Sequence, residues 1–297
     1  MKVVVFGGSG FLGSHVADAL GDAGHEVVIY DLKPSAYLRE GQKMVLGDIL
    51  DEKKVNDAIK GCEAVYNFAG VADIDKASCI PVDTVRSNVL GNTIILEACR
   101  KNRVKRFIFA SSLYVYSKAG SFYRSTKQSC ELITENYSEV YGLNYTVLRY
   151  GSLYGPRADN RNYIHKILKD ALTEGVIVRE GDGEEIREYI HVFDAARASV
   201  QVLSKEYENE YVMITGNQQM KVKDLFVMIR EMLDSKVELK YVKPVAKDHY
   251  EITPYCFQPK LAKRIVGNSY VDLGQGILKC MQDVYGELNA PNQAGVK

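Results

Sequence analysis

The sequence carries no surplus of charge of either sign, with 38 lysines and arginines against 38 aspartates and glutamates among 297 residues. Without a net field, nothing draws the chain toward nucleic acid, an anionic membrane or a polyanion, so any phosphate it binds is held by a local arrangement. Long apolar runs are also missing. No stretch approaches the ~18 consecutive apolar residues of a membrane span, and the apolar run VVVF near the N-terminus is too short for a signal-peptide core. The expectation is a soluble, cytoplasmic protein with neither nucleic acid nor membrane as partner. The six cysteines (Cys62, Cys79, Cys99, Cys130, Cys256 and Cys280) contain no CxxC pair, which argues for reduced fillers over disulfides or a metal site. Internal repeats and low-complexity segments are absent too. What remains is an ordinary globular composition, 46% hydrophobic and 26% charged, long enough for a large core and about two domains.

In the first half, short β-branched runs alternate with amphipathic stretches, the pattern of repeated βαβ units. Strands are expected at Lys2 to Phe6, Glu26 to Tyr30, Lys43 to Leu46, Ala64 to Phe68, Arg106 to Ser111, Asn144 to Arg149 and Glu210 to Thr215. Helices are expected at Leu12 to Asp22, Lys53 to Ile59, Val85 to Asn102, Tyr123 to Tyr141 and Tyr163 to Thr173. Right-handed crossovers place such helices on both faces of one sheet, giving an α/β fold with a doubly wound parallel sheet of Rossmann type. After about residue 151 the alternation loosens into Pro, Gly and charge, as in YGPRADNRN and REGDGEEIRE, which reads as a smaller C-terminal lobe. The expected division is a dinucleotide-binding domain over 1–165 and a mainly substrate-binding lobe over 166–297. The lobes interleave, because 188–216, with the helical-looking HVFDAARASVQVL, returns to the sheet. The last residues, APNQAGVK, read as a frayed tail.

The glycines of VVVFGGSGFLGSH stand at Gly7, Gly10 and Gly13, between a strand and a helix. There glycine permits the tight turn and the close approach of backbone to a pyrophosphate, which sits at the positive end of the helix. The next strand, EVVIYD, ends in Asp31, eighteen residues beyond Gly13. An acid there can bond both ribose hydroxyls and repels a 2′-phosphate, so the pair favours NAD over NADP. Lys33 nearby tempers that charge, and the alternative to the ribose role is a solvated strand end. Asp48, in LGDIL, could reach an adenine amino group or cap a helix equally well.

Tyr123 and Lys127 open a helix at i and i+4 and share one face. A lysine ammonium beside a phenol stabilises phenolate and makes a general base able to deprotonate a sugar hydroxyl. In a chain with twenty tyrosines this spacing alone says little. Its company is the strand RFIFASS, which should bring Ser111 and Ser112 to the carboxyl edge of the sheet, where ligands bind in open α/β folds. A serine there can bridge substrate and tyrosine oxygens.

Taken in order, GGSGFLGSH, the strand-end Asp31, GDI, NFAG, N88-V-L-G, FIFASSLYVY, YRSTK with Glu131, LRYGSLYGPR and REYIHVFDAARA span nearly the whole chain. With them the sequence resembles the extended short-chain dehydrogenases/reductases, in the nucleotide-sugar epimerase/dehydratase group typified by UDP-galactose 4-epimerase. The resemblance implies that Ser112, Tyr123 and Lys127 are catalytic, Tyr123 as base and Lys127 also on the nicotinamide ribose. It implies an NAD site drawn from Gly7, Gly10, Phe11, Leu12, Gly13, Asp31, Asp48, Ile49, Phe68, Ala69, Gly70, Asn88, Tyr123, Lys127 and Tyr150, the last beside the nicotinamide just after its strand. It implies substrate contacts from Ser111, Ser112, Ser152 and Arg187, with the Arg187 guanidinium on the diphosphate. Asn88 could equally be a buried structural amide, and His191 reads as a core histidine. A homodimer through the helices at 85–102 and 123–141 also follows from the resemblance. Val89, Ile95, Leu96, Leu132, Ile133 and Val140 on those helices serve core or interface alike.

The chain departs from the group in three places. Only ten residues, Leu113 to Phe122, separate Ser112 from Tyr123, and that connection lines the sugar site. Leu113 and Tyr114 stand where a dehydratase carries an acidic pair, which disfavours dehydration. The usual C-terminal diphosphate arginine is missing from KPVAKDHYEITPYCF, leaving Lys243, Lys247 or His249 as substitutes, and Ser152 replaces an asparagine. The expected activity is NAD-dependent epimerisation of a nucleoside-diphosphate sugar, at C4 through a transient 4-keto sugar. A 4-ketoreductase or dehydrogenase using the same three residues is the alternative, and a catalytically silent NAD-binding regulator a more remote one.

Overall fold

The computed structural model describes residues 1–117, 119–243, 263–264 and 270–289. Its strands are β1 (Lys2–Phe6), β2 (Glu26–Asp31), β3 (Lys43–Leu46), β4 (Ala64–Asn67), β5 (Arg106–Ser112), β6 (Tyr145–Tyr150), β7 (Ser152–Tyr154), β8 (Val176–Glu180), β9 (Ile186–His191), β10 (Glu210–Ile214), β11 (Gln219–Lys221), β12 (Glu238–Val242) and β13 (Lys263–Arg264). Its helices are α1 (Phe11–Asp22), α2 (Glu52–Ile59), α3 (Ile74–Cys79), α4 (Pro81–Val85), α5 (Gly91–Lys101), α6 (Ser121–Tyr141), α7 (Tyr163–Glu174), α8 (Val192–Gln201), α9 (Val222–Met232) and α10 (Leu273–Asn289).

Eight strands form one sheet in the order β13-β10-β6-β5-β4-β1-β2-β3, and every neighbouring pair is parallel. The order reverses between β1 and β4, the place where open α/β sheets take a ligand beyond their carboxyl ends. β4, β5 and β6 are buried along their whole length, as expected of parallel strands covered on both faces. One cover is α2, α5 and α6, whose Val55, Ile59, Ile95, Leu96 and Cys130 pack with Phe107, Phe109 and Val147 of the sheet. The other is α1 and α8, whose Val16, Leu20, Ala195 and Ala198 pack with Ile108, Leu148 and Val212. So α8, from the HVFDAARASVQVL run, does return to the sheet.

A third core joins α7, α9 and α10 with Ile177 of β8 and Tyr189 of β9. It belongs to the smaller lobe, which adds a β11-β9-β7 sheet and a β12-β8 pair. These short strands, together with α3, α9 and α10, are not among the elements expected from the sequence, although α9 buries Val222, Leu225, Phe226 and Ile229 at helical spacing.

The continuous helix expected over 85–102 is interrupted. After α4, residues Arg86–Leu90 form a π-turn that leads into α5. Such wide turns insert an extra residue into a helix and re-aim side chains, and here the turn carries Asn88. Among the described residues no helix is long and apolar enough to cross a membrane, and the described cysteines are all unpaired. Cys256, Lys247, His249 and the tail 290–297 lie outside the described residues.

Candidate active site

At the end of β1, Gly7 takes a left-handed backbone (φ 76°), and a Cβ there would lie 2.7 Å from the Ala69 amide nitrogen. A Cβ on Gly13 would lie 2.2 Å from the Gly7 carbonyl oxygen. These two glycines are therefore fixed by contact between the loop, α1 and the turn after β4. Gly10 caps α1 with no side-chain hydrogen bond, and no acid stands in the helix's first turn. The positive helix end and its unused amides suit a pyrophosphate in charge and chemistry. Phe11 and Leu12 begin the helix.

Asp31 closes β2 at the rim of this loop. Its Oδ2 accepts from the Ser9 amide at 3.0 Å and its Oδ1 from the Lys33 amide at 3.3 Å. It is thus more than a solvated end, since the carboxylate is fixed beside the glycine loop. Asp48 is exposed, and its Oδ1 accepts from the Leu50 amide at 2.9 Å. The helix-capping alternative for Asp48 is corrected, because α2 is capped by Asp51, which accepts from the Lys54 amide at 3.0 Å. Ile49 is buried against Gly91, where a Cβ would lie 2.5 Å from its Cδ1.

After β4, Phe68, Ala69 and Gly70 turn beneath the glycine loop. Asn88 holds that turn. Its Oδ1 accepts from the Val71 amide at 2.6 Å, and its Nδ2 donates to the Val71 carbonyl and the Thr126 hydroxyl, both at 3.0 Å. These bonds make Asn88 a buried structural clamp from the cofactor turn to the helix of Tyr123 and Lys127.

Ser111 and Ser112 end β5, and the pleat sends their side chains to opposite faces. Ser111 donates to Glu131 Oε1 at 2.5 Å, within a buried ion pair in which Arg149 reaches Glu131 at 2.7 and 3.0 Å. Ser111, expected at the substrate, has its hydroxyl engaged by Glu131 beneath α6. Ser112 accepts from the Tyr114 amide at 3.3 Å and starts the single turn Leu113–Tyr116.

On α6, Lys127 is buried, and its Nζ donates to the Ala110 carbonyl at 2.6 Å, 4.8 Å from the Phe109 ring centroid and 5.7 Å from that of Tyr123. Burial pulls the lysine's pKa down, and the nearby Cys130 and Glu131 oppose that pull. Tyr123 is half-buried, with the Tyr114 ring edge-on at 6.2 Å. The ten-residue connection to Tyr123 is pinned by its own helix, since Arg124 donates to the Ser117 carbonyl at 3.1 Å and Gln128 to the Val115 carbonyl at 2.8 Å. Gly120 (φ 96°) leaves room for Tyr114, because a Cβ there would lie 2.7 Å from its Cδ1.

Tyr150 is the last residue of β6, not the one after it, and its hydroxyl bonds Ser199 at 2.6 Å inside the core. What it can offer a cofactor is the ring, which lies 6.3 Å from that of Phe68. Ser152 of β7 pairs with Tyr189 of β9, two residues beyond Arg187. The pleat therefore puts Ser152 and Arg187 on one face of the small sheet. Arg187 is buried and donates to the Ile186 carbonyl at 3.0 Å. His191 caps α8 and packs on Tyr154 and Phe193, as a core histidine does. Lys243 is exposed beyond β12. A separate cavity of about 310 Å³ between α8, the end of β10 and the start of α10 contains none of Ser112, Tyr123 and Lys127 in its lining.

Comparison with known proteins agrees with this geometry. The NAD dependent epimerase/dehydratase family model matches residues 3–214. A Methanocaldococcus jannaschii protein named "Putative UDP-glucose 4-epimerase" is 30% identical over 93% of this chain and 95% of its own. The UDP-glucose 4-epimerase of Thermotoga maritima, solved with UDP-glucose, superposes with TM-score 0.85 at 26% identity, covering 97% of this chain and all of that one. A UDP-N-acetylglucosamine 4-epimerase from Methanobrevibacter ruminantium, solved with UDP-N-acetylmuramic acid, also gives 0.85, at 25% identity over 96% and 98% of the two chains.

Proposed function

The chain belongs to the NAD dependent epimerase/dehydratase family, and from that we propose that it is an NAD-dependent epimerase of a nucleoside-diphosphate sugar, acting at C4, with UDP-hexoses as the first candidates. The carrying observation is the buried Lys127, held by the Ala110 carbonyl one helical turn from Tyr123, beside the strand end that presents Ser112. Relatives and neighbours that are UDP-sugar 4-epimerases support the same reading.

NAD, when bound, supplies the acceptor and later the donor of the hydride at the sugar carbon. Gly7, Gly10 and Gly13 with the open end of α1 would hold its pyrophosphate, and Asp31 its adenine ribose. Tyr123 takes the proton of the hydroxyl on the carbon being oxidised and returns it after the transient 4-keto sugar has turned in the pocket. Lys127 lowers the cost of the phenolate, and Ser112 holds the sugar oxygen against Tyr123. Arg187 and Ser152 hold the diphosphate. Dehydration lacks its acid and base, because Leu113 is core and Tyr114 packs on Tyr123.

We also infer a homodimer. In support, α6 leaves Leu132 and Val140 59% and 68% exposed, with Tyr141, Val85 and Leu90 exposed as well, whereas Ile95 and Leu96 are core. The reaction is tested by releasing small molecules from the purified protein by heat and identifying them by mass spectrometry. Recovered NAD supports a cofactor that is regenerated in place, and a protein that neither retains nor takes up NAD contradicts the reading.

A further inference from the structure

Glu131, one helical turn beyond Lys127 on α6, is buried and takes no part in the chemistry derived above. Its carboxylate meets β5 at the Ser111 hydroxyl, and the Lys127 ammonium meets the same strand at the carbonyl of Ala110, the residue before. A bare carboxylate in so dry a place would draw that ammonium to itself. Arg149 of β6 stands against this. Its Nε donates to Glu131 Oε1 at 3.0 Å and its Nη2 to Oε2 at 2.7 Å, so one guanidinium spans both oxygens, the strong bidentate form of such a pair. Its Nη1 donates to the Tyr116 hydroxyl, and the rings of Tyr116 and Tyr211 lie 4.5 and 4.3 Å from the guanidinium carbon. The cation is thus fixed by α6, by β10 and by the turn Leu113–Tyr116 at once. The titratable groups acting on Lys127 are Cys130 and Glu131, beside the Tyr123 ring itself. Burial pushes the Cys130 thiol up to about 12, and it donates to the Asn88 carbonyl at 3.2 Å. Glu135, a turn further along α6, accepts from the Tyr211 hydroxyl. Glu131 is therefore the anion that competes with Tyr123 for the lysine.

We infer that Arg149 is a positioning residue for the base: by binding both oxygens of Glu131 it withholds that carboxylate from Lys127 and leaves the ammonium to the Tyr123 oxygen. The inference rests on the epimerase reading above, in which Tyr123 is the base, and gives the buried pair beneath it a task. Removing the guanidinium alone releases a carboxylate beside Lys127 and disfavours phenolate. Removing the carboxylate alone releases a cation and favours it, and removing both restores the balance. Loss of packing alone would not reverse sign between the two single changes.

The test is carbon-13 NMR of NAD-loaded protein labelled at the tyrosine Cζ, titrated with pH in the absence of sugar, with Tyr123→Phe identifying the resonance. Arg149→Gln should raise the Tyr123 midpoint by about one pH unit, a ten-fold loss of acidity, and Glu131→Gln should lower it. The paired variant Arg149→Gln with Glu131→Gln, which strands no buried charge, should return to within about 0.3 pH units of wild type. If Arg149→Gln does not fold, Arg149→Lys carries the test with a smaller upward step, because an ammonium cannot span both oxygens. An unmoved midpoint in the Arg149 variants, or shifts of the same sign on removing either partner, overturns the inference. A wild-type Tyr123 that titrates at or above the ordinary value of about 10 overturns its role as base, and this inference with it. Wild-type protein that inverts no nucleotide sugar while the variants shift as stated fails the reaction reading and supports the role of Arg149.

Discussion

Lys127 is where the proposed chemistry depends most on its surroundings. Burial makes its charge costly, a single carbonyl holds its ammonium at 2.6 Å, and anything that spreads positive charge toward the Tyr123 oxygen is correspondingly effective in so dry a place. Replacing Tyr123 with Phe removes only the oxygen that carries the proton. Turnover should fall by at least about a hundred-fold, with NAD affinity within two-fold of wild type, as checked by single-turnover kinetics and cofactor titration. Asp31, fixed beside the glycine loop by the Ser9 amide at 3.0 Å, should give NAD at least a ten-fold advantage over NADP in the same titration, and Asp31→Asn should narrow it. The residues with these chemical tasks were legible because their spacing states the task, a Tyr and Lys four apart after a strand ending in Ser. What spacing could not reveal is direction. The pleat of β5 sends Ser111 to Glu131 and leaves Ser112 at the edge, and the Ser199 bond turns the Tyr150 hydroxyl into the core.

Among the elements, α1 holds the cofactor loop on one side and the lobe on the other. Gly13 touches Gly7 so closely that Gly13→Ala must displace the loop, because its Cβ would lie 2.2 Å from a carbonyl oxygen. That variant should lose measurable NAD binding while its far-UV circular dichroism is retained. On the opposite face, His15 of α1 bonds the Pro156 carbonyl at 2.9 Å, and His191 caps α8. Burial lowers both to about 4 from the usual 6.5, so both remain neutral when folded and take up protons when unfolded. Their contribution is complete above about pH 6.5 and is lost as pH falls from there to about 4, roughly 1–3 kcal/mol each. Urea unfolding should show a falling midpoint over that window. His191→Asn, which can still cap α8, should flatten part of the fall. The boundaries of α1, α2 and α6 could be read from periodicity to within one or two residues, whereas α3 and α4 could not. The π-turn Arg86–Leu90 could not, because the bonds of Asn88 within it, to Val71 and Thr126, are contacts between segments far apart in the chain.

As a whole, the molecule is a sheet whose carboxyl edge gathers groups from far-separated segments, with a smaller lobe that has its own core. The parallel sheet was legible because strands buried on both faces read as continuous apolar runs, as in KVVVF and RFIFASS. The lobe was not, because β7, β8, β11 and β12 have three to five residues each and owe their pairing to contacts with α7, α9 and α10. If the exposed apolar face of α6 joins two copies, light scattering should report a dimer and Leu132→Glu a monomer with its fold intact. The central claim is a reaction without net redox change. It is met most directly by following one sample of purified protein with UDP-glucose, by proton NMR for the sugar and by absorbance at 340 nm for the cofactor. The account predicts conversion to a sugar inverted at C4 with no steady change in absorbance. Accumulation of NADH in step with an oxidised sugar would contradict it and make the protein a dehydrogenase.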